Sequence, residues 1–267
     1  MAGSDRAAPA GPELLRIDGF PAPHAFTTRR GGVSRGPFAS LNLGLSVGDA
    51  REAVEENRRR ALRAFEADPD RTARVSQVHG ARVAAASEAT PDLEADALVS
   101  DDPGWTLAIS AADCVPVLLV DPARGAVAAA HAGWRGLAAG VLEASVAALH
   151  ERYGSAPDGM WAAIGPHVSG PRYQVGPEVV EGLRAAGLSD RHARPDPAEA
   201  GRFRLSLGGA AAEALIRSGV PAARVLDGGW CTVSDAERFY SHRRDAGRTG
   251  RHWALLRAPG PEEPRPA

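Results

Sequence analysis

The chain has 267 residues, enough to bury a full core, with 44% hydrophobic residues and a formal net charge of −2, a balance that gives no reason to expect nucleic acid or an anionic membrane surface as partner. All 31 basic residues are arginine, which excludes a Schiff-base lysine, a pyridoxal phosphate anchor and a Walker A lysine. Any phosphate or carboxylate is left to arginine, backbone amides or a metal.

Residues 1–12 and 258–267, rich in Ala, Pro, Gly and Glu, read as disordered tails around a single catalytic domain over 13–257. Residues 49–67 read as an amphipathic helix capped by Asp49. Val75 to Val83 looks like a strand interrupted at His79-Gly80. Trp105 to Ser110 and Val115 to Val120 are apolar, β-leaning runs, and Ala126 to Ala130 follows after a Pro-Gly turn. Trp134 to Arg152 reads as one helix ended by Gly154, and Met160 to Ile164 as a further apolar run that stops at Gly165-Pro166. Helices follow near 177–187 and 207–218. The alternation predicts an α/β (mixed α+β) fold, one compact domain with mixed β-sheets flanked by helices. Periodicity does not give its strand order.

The two cysteines, Cys114 and Cys231, are too few for a disulfide framework. No apolar run approaches the ~18 residues of a membrane helix, and the start lacks a signal peptide's basic and apolar segments. The expected compartment is the cytoplasm, where thiols stay reduced.

The chemistry begins at Asp121-Pro122-Ala123-Arg124-Gly125, a turn that folds Val115 to Val120 back on Ala126 to Ala130 as an antiparallel hairpin. A two-residue loop at Pro122-Ala123 sets Cys114 opposite His131. A longer loop that includes Gly125 shifts the register by one or two and still leaves both at the open end. A thiolate beside an imidazole fits either a cysteine nucleophile or a zinc site. A third ligand favours metal, and His79 in Gln77-Val78-His79-Gly80 offers one. Three protein ligands leave a tetrahedral zinc one open position, as catalytic sites require.

Gln77-Val78-His79-Gly80, Ala112-Asp113-Cys114-Val115-Pro116-Val117-Leu118 and His131-Ala132-Gly133-Trp134-Arg135-Gly136 together resemble the signature of one family. It is the family of metal-dependent purine nucleoside phosphorylases, long described as polyphenol oxidoreductase laccases, with a YfiH-like fold. Phe26-Thr27-Thr28-Arg29, Leu41-Asn42-Leu43-Gly44, Glu56-Asn57-Arg58 and Phe239-Tyr240-Ser241-His242-Arg243-Arg244-Asp245 support the match, which runs from about residue 24 to 256. The resemblance implies that His79, Cys114 and His131 ligate zinc, with copper also compatible, in a pocket for a purine nucleoside and phosphate. It implies phosphorolysis of adenosine, inosine, guanosine or methylthioadenosine, and deamination of adenosine. Cys114, His131 and Asp113 are then the catalytic candidates, Asp113 as proton shuttle or as a partner of a ligand. Arg29, Arg135 and Arg243 are candidates for phosphate, and Asn42, Gln77 and Ser241 for substrate groups.

The sequence departs from the family after Ile164-Gly165-Pro166, where relatives carry cysteines and Tyr-Glu-Val and this chain reads HVSGPRYQVG, with His167, Ser169, Arg172 and Gln174. His167 reads as an ordinary loop histidine and Cys231 as structural. The His-x-Glu pattern of zinc nucleobase deaminases is absent. Several coppers would need more imidazoles than eight histidines scattered as widely as His150, His192 and His252 supply. Some relatives are described as peptidoglycan editing factors, so an amidase acting on a UDP-muramoyl-L-serine precursor is the main alternative.

Overall fold

The computed structural model describes residues 11–260. The expected tails over 1–10 and 261–267 lie outside those residues. Ala258, assigned to the C-terminal tail, is instead fully buried in the core.

In chain order the elements are β1 (Leu14–Leu15), β2 (His24–Thr27), α1 (Arg51–Ala64), β3 (Thr72–Ala73), β4 (Val83–Ala85), β5 (Ala97–Ser100), β6 (Thr106–Ala111), β7 (Val115–Asp121) and β8 (Ala126–Ala132). There follow α2 (Trp134–Ala138), α3 (Val141–Tyr153), β9 (Trp161–Ile164), β10 (Gln174–Val175), α4 (Pro177–Ala185), β11 (Ala193–Pro195), β12 (Phe203–Leu205), α5 (Leu207–Arg217), β13 (Val225–Asp227) and β14 (His252–Arg257). They build a six-stranded sheet in the order β13-β9-β7-β8-β5-β4, a five-stranded sheet β1-β2-β14-β6-β3, and a small sheet β10-β12-β11. This is the expected mixed α+β single domain.

Strand alternation explains the layering. Every residue of β7 and β8 is buried, which a strand covered on one face alone would not permit. Val117 and Leu119 of β7 and Ala128 and Ala130 of β8 pack with Leu142 and Val146 of α3 and Ala210 and Ala214 of α5. The alternate residues, Leu118, Val120, Val127 and Ala129, pack with Phe26, Leu107, Ile109 and Leu256 of the five-stranded sheet. The far side of that sheet, through Ala108, Trp253 and Leu255, meets Ala61 and Leu62 of α1. The order is therefore helices, sheet, sheet, helix. The alanines of β8 keep the layers close without bulk, at the cost of little side-chain entropy.

Three expectations need correction. Asp49 does not cap α1, whose N-cap is Ala50. Its carboxylate accepts instead from Ser34 Oγ at 2.6 Å and Asn42 Nδ2 at 2.9 Å. Val75 to Val83 does not form the expected interrupted strand: residues 75–82 are irregular and β4 begins only at Val83, while the break falls where expected, at His79 with its left-handed φ of 62°, incompatible with a pleated run. The helix expected over Trp134 to Arg152 is two helices, broken at Gly140 with φ 83°. Of the two registers the turn allows, the hairpin takes that of the longer loop, pairing Pro116 with His131 and Val115 with Ala132. The loop holds Pro122 to Gly125, so the register moves by two relative to a two-residue turn. A shift of two preserves the face on which each side chain points, where a shift of one would invert it.

Candidate metal centre

Three segments converge at the end of the sandwich where β8 stops. His131 is the second-last residue of β8. Cys114 precedes the first residue of β7, and His79 comes from the irregular segment that Asp96 organises. The ligand atoms of His79, Cys114 and His131 lie within 4.8 Å of one another. Cys114 Sγ is 3.9 Å from His79 Nε2, and the two imidazoles meet edge to face with centroids 4.8 Å apart. His131 is buried and His79 exposed, so the trio opens to solvent on the His79 side.

Asp96, immediately before β5, carries no signal in the sequence, yet it holds the centre together. Its carboxylate accepts from the amides of Val78 (3.1 Å), His79 (2.9 Å) and Gly80 (2.7 Å) and pairs with His131 Nδ1 at 2.9 Å. Its own carbonyl receives the His131 amide at 2.8 Å. The converging amides offset the left-handed backbone of His79, and the Nδ1 contact leaves His131 Nε2 to face the other two ligands. Carboxylate–imidazole pairing of this kind orients metal-binding histidines and raises their basicity. Burial works against ionisation of Asp96, but the His131 and Gly80 hydrogen bonds outweigh it and hold the carboxyl below its usual range.

Burial likewise pushes the Cys114 thiol up, while the His131 charge and hydrogen bonds from both histidines bring it down to about 6. His131 is lowered by burial and raised more strongly by Cys114 and Asp96, to about 9. These opposite shifts favour a thiolate beside an imidazolium. A metal held by the trio would compete with the His131 proton.

The donor set fits a zinc-like ion. Tetrahedral bonds of about 2.3 Å to sulfur and 2.0 Å to nitrogen imply a sulfur–nitrogen separation of roughly 3.5 Å, close to the 3.9 Å found. Gly133 keeps the space clear. Its backbone is ordinary, with φ −72°, but a Cβ there would stand 2.9 Å from Cys114 Sγ and 3.0 Å from His79 Cδ2. Among the described residues this is the one such group of histidine, cysteine and carboxylate ligands.

Asp113, also at positive φ (90°), is engaged on both oxygens, by Thr232 Oγ1 and by the Arg243 amide, each at 2.6 Å. It ties the β6–β7 connection to the C-terminal loops. Arg243 lies over the Tyr173 ring and donates through its guanidinium to the Gln174 carbonyl at 2.7 Å. Arg135 is exposed, rests on the Trp134 ring 4.5 Å away, and has no ion pair among the described residues. Tyr173 sits among these groups. Burial raises its phenol to about 12, with the Cys114 and Asp113 charges adding and Arg243 and Arg135 opposing. Neither Tyr173 nor Arg251, whose guanidinium also feels the Cys114 and Asp113 charges, carries a sequence signal beyond its motif.

The other candidates are occupied with the fold. Gln77 exchanges two hydrogen bonds with the Ser110 backbone, at 2.7 and 2.8 Å. Asn42, fully buried, bonds Gly44, Asp49 and the Arg251 amide. Ser241 is buried and accepts from the Arg244 amide at 3.1 Å. Arg29 donates to the Ala39 and Ala236 carbonyls beneath Tyr240. His167 bonds the Gly165 carbonyl at 2.9 Å. Cys231 accepts from Ser169 Oγ at 3.1 Å and from the Ser234 amide.

Comparison with known proteins gives a consistent neighbourhood. Residues 23–258 match the family model described as multi-copper polyphenol oxidoreductase laccase. A Deinococcus radiodurans protein named purine nucleoside phosphorylase is 44% identical over 246 residues, covering 92% of this chain and 93% of its own. A Pseudomonas aeruginosa protein of the same name is 46% identical over 86% of this chain and 90% of its own. The crystal structure of YlmD from Geobacillus stearothermophilus superimposes with a TM-score of 0.83 at 36% identity, covering 89% of this chain and 92% of that one.

Proposed function

Because this chain belongs to the family described as multi-copper polyphenol oxidoreductase laccase, whose curated relatives bear the name purine nucleoside phosphorylase, we propose that it is a zinc-dependent purine nucleoside phosphorylase. Its substrates are adenosine, inosine, guanosine or methylthioadenosine together with phosphate, and deamination of adenosine is a second activity of the same centre. The observation that carries the reading is the solvent-open His79–Cys114–His131 trio, with Arg135 two residues beyond the Gly133 that packs on Cys114 and His79, and Arg243 bonded through its amide to Asp113 beside Cys114.

His79, Cys114 and His131 hold the ion, which when bound supplies a Lewis acid at a fixed place. In phosphorolysis a phosphate oxygen forms a bond to ribose C1′ as the bond from C1′ to the purine nitrogen breaks, and the base leaves as its ring gains a proton. Arg135, exposed and without an ion pair among the described residues, attracts the phosphate. Arg243, already braced on Gln174 and Tyr173, offers it a fixed fork. Holding phosphate and nucleoside together removes most of the entropic barrier. Asp96 and Asp113, the carboxylates bonded to the centre's own residues, are each fully engaged. That favours a reaction led by positioned phosphate over one led by a free carboxylate base.

The test incubates the zinc-loaded protein with inosine or adenosine, with and without phosphate, and follows free base and ribose 1-phosphate. Ribose 1-phosphate should form only when phosphate is present. Base release that ignores phosphate, or hydrolysis of UDP-muramoyl-L-serine in place of nucleoside cleavage, overturns the reading. Cys114→Ala should bind far less zinc, and full occupancy in that variant would sink the ligand assignment.

A further inference from the structure

A second concave surface lies on the small three-stranded sheet, and it shares no residue with the metal trio. It is a cleft of about 490 Å³ between the Gly170–Pro171 turn, β11, β12 and the start of α5. That volume is within the ~300–1,000 Å³ of small-molecule sites. Arg191, Arg194 and Arg204 all line it, with His192 and Ser206.

The charge arrangement in this cleft is unbalanced. Arg194 and Arg204 are register partners on neighbouring antiparallel strands, so their side chains share a face, and like charges in that position repel. Buried Asp196 answers Arg204 with a 2.9 Å ion pair, and Gln174 steadies Asp196 from the other side at 2.6 Å. Glu213 answers Arg191 at 3.1 Å but is shared with His192. Arg194 is exposed and has no ion pair among the described residues. Arg204 is held in place by the Pro171 carbonyl, which accepts from its guanidinium at 3.2 Å.

Ser206 adds a neutral donor. As N-cap of α5 its hydroxyl oxygen accepts from the Gly209 amide at 3.3 Å, leaving the hydroxyl proton free. The amino end of α5, an eleven-residue helix, adds partial positive charge on the same side.

We infer that this cleft is a second binding site, for a small molecule carrying two or more phosphate charges. Three arginine forks around one concavity, one of them without a carboxylate, match the planar recognition of phosphate. A cleft of this size exceeds a single inorganic anion. The net charge of −2 argues against a polynucleotide, which needs an extended basic surface.

Calorimetry on the full-length, zinc-loaded protein tests the site, with fructose 1,6-bisphosphate as probe, fructose as uncharged control and ionic strength held constant. Arg194→Gln removes an exposed fork that has no ion pair among the described residues, and circular dichroism checks that it folds. It should weaken the bisphosphate by about tenfold or more, the loss expected for a charged hydrogen bond. Arg135→Gln, at the metal centre, should leave the affinity within about twofold, since Arg135 does not line the cleft. Unchanged affinity in Arg194→Gln overturns the proposal. An equal loss in Arg135→Gln does so too, by assigning the probe to the metal centre. A single-stranded oligonucleotide that binds more tightly than the bisphosphate, with the same dependence on Arg194, overturns the small-molecule assignment.

Discussion

The Asp96 carboxylate accepts three consecutive amides and pairs with His131 Nδ1, so its contribution runs through the ligands rather than through the ion. Asp96→Asn keeps the shape but replaces one acceptor oxygen with a donor and removes the charge that fixes the His131 tautomer. Zinc affinity should fall roughly 10–100-fold, read by competition with a chromophoric chelator. Unaltered affinity would show that Asp96 serves only the backbone. Residues of the centre were unequally legible in the sequence. Turn chemistry alone brings Cys114 and His131 together, and the family signature adds His79. Asp96 escapes because a single acid before a buried strand has no periodicity to betray it. Asn42, Gln77 and Ser241 show the converse difficulty. A polar residue inside a motif looks the same whether it holds substrate or, as their hydrogen bonds here show, the backbone of its own chain.

Among the elements, strands are more legible in the sequence than the segments joining them. β7 and β8 are long and wholly apolar apart from their ends, so their pattern survives any register. The stretch from Val75 to Val83 has the composition of a strand, but Asp96 gathers its amides from across the sheet and bends it, a tertiary effect invisible to local propensity. The break between α2 and α3 is a backbone event. Gly140 is left-handed, and a Cβ there would meet nothing closer than Glu143 Oε2 at 3.8 Å, so space is not the constraint. Gly140→Ala should therefore cost about 1–2 kcal/mol from conformation alone, measured by urea denaturation. A neutral or stabilising result would mean that one straight helix can replace the two, which would carry Arg135 away from the metal centre.

At the scale of the whole molecule, two buried histidines clamp the five-stranded sheet to its loops in the neutral form. His252 accepts the Tyr240 amide on Nε2 at 2.8 Å and donates from Nδ1 to the Ala111 carbonyl at 3.2 Å. His24 does the same between the Ile17 amide and the Ala22 carbonyl. Burial lowers both, His252 to about 3. Unfolding lets each take a proton near its ordinary value of 6.5. Their contribution is thus complete above about pH 6.5 and is lost as pH falls below it, for His252 down to about 3 at up to ~1.4 kcal/mol per pH unit. In the metal-free protein, Cys114 and His131 are shifted in opposite directions, so above pH 6.5 their effects largely cancel. The urea midpoint should be flat from pH 7 to 8 and fall between pH 6.5 and 4.5. A His252→Gln variant, unable to charge, should lose part of that slope. An equal slope in the variant would place the acid sensitivity elsewhere. The four-layer order itself is not legible in the sequence. Alternation on β7 and β8 is masked because both faces are apolar, and only the partners on each face separate one core from the other.

The clip that Asp96 makes of residues 78 to 80 also has a kinetic side. Loop amides ordinarily trade hydrogen for deuterium quickly, because local opening costs little. Here Val78, His79 and Gly80 all give their protons to one carboxylate, so none can open without weakening the hold on the other two. They should exchange together and at the pace of the flanking strands, and in Asp96→Asn that shared protection should vanish. A segment without secondary structure would then keep time with the sheet, and its isotope uptake would serve as a clock for the integrity of the site.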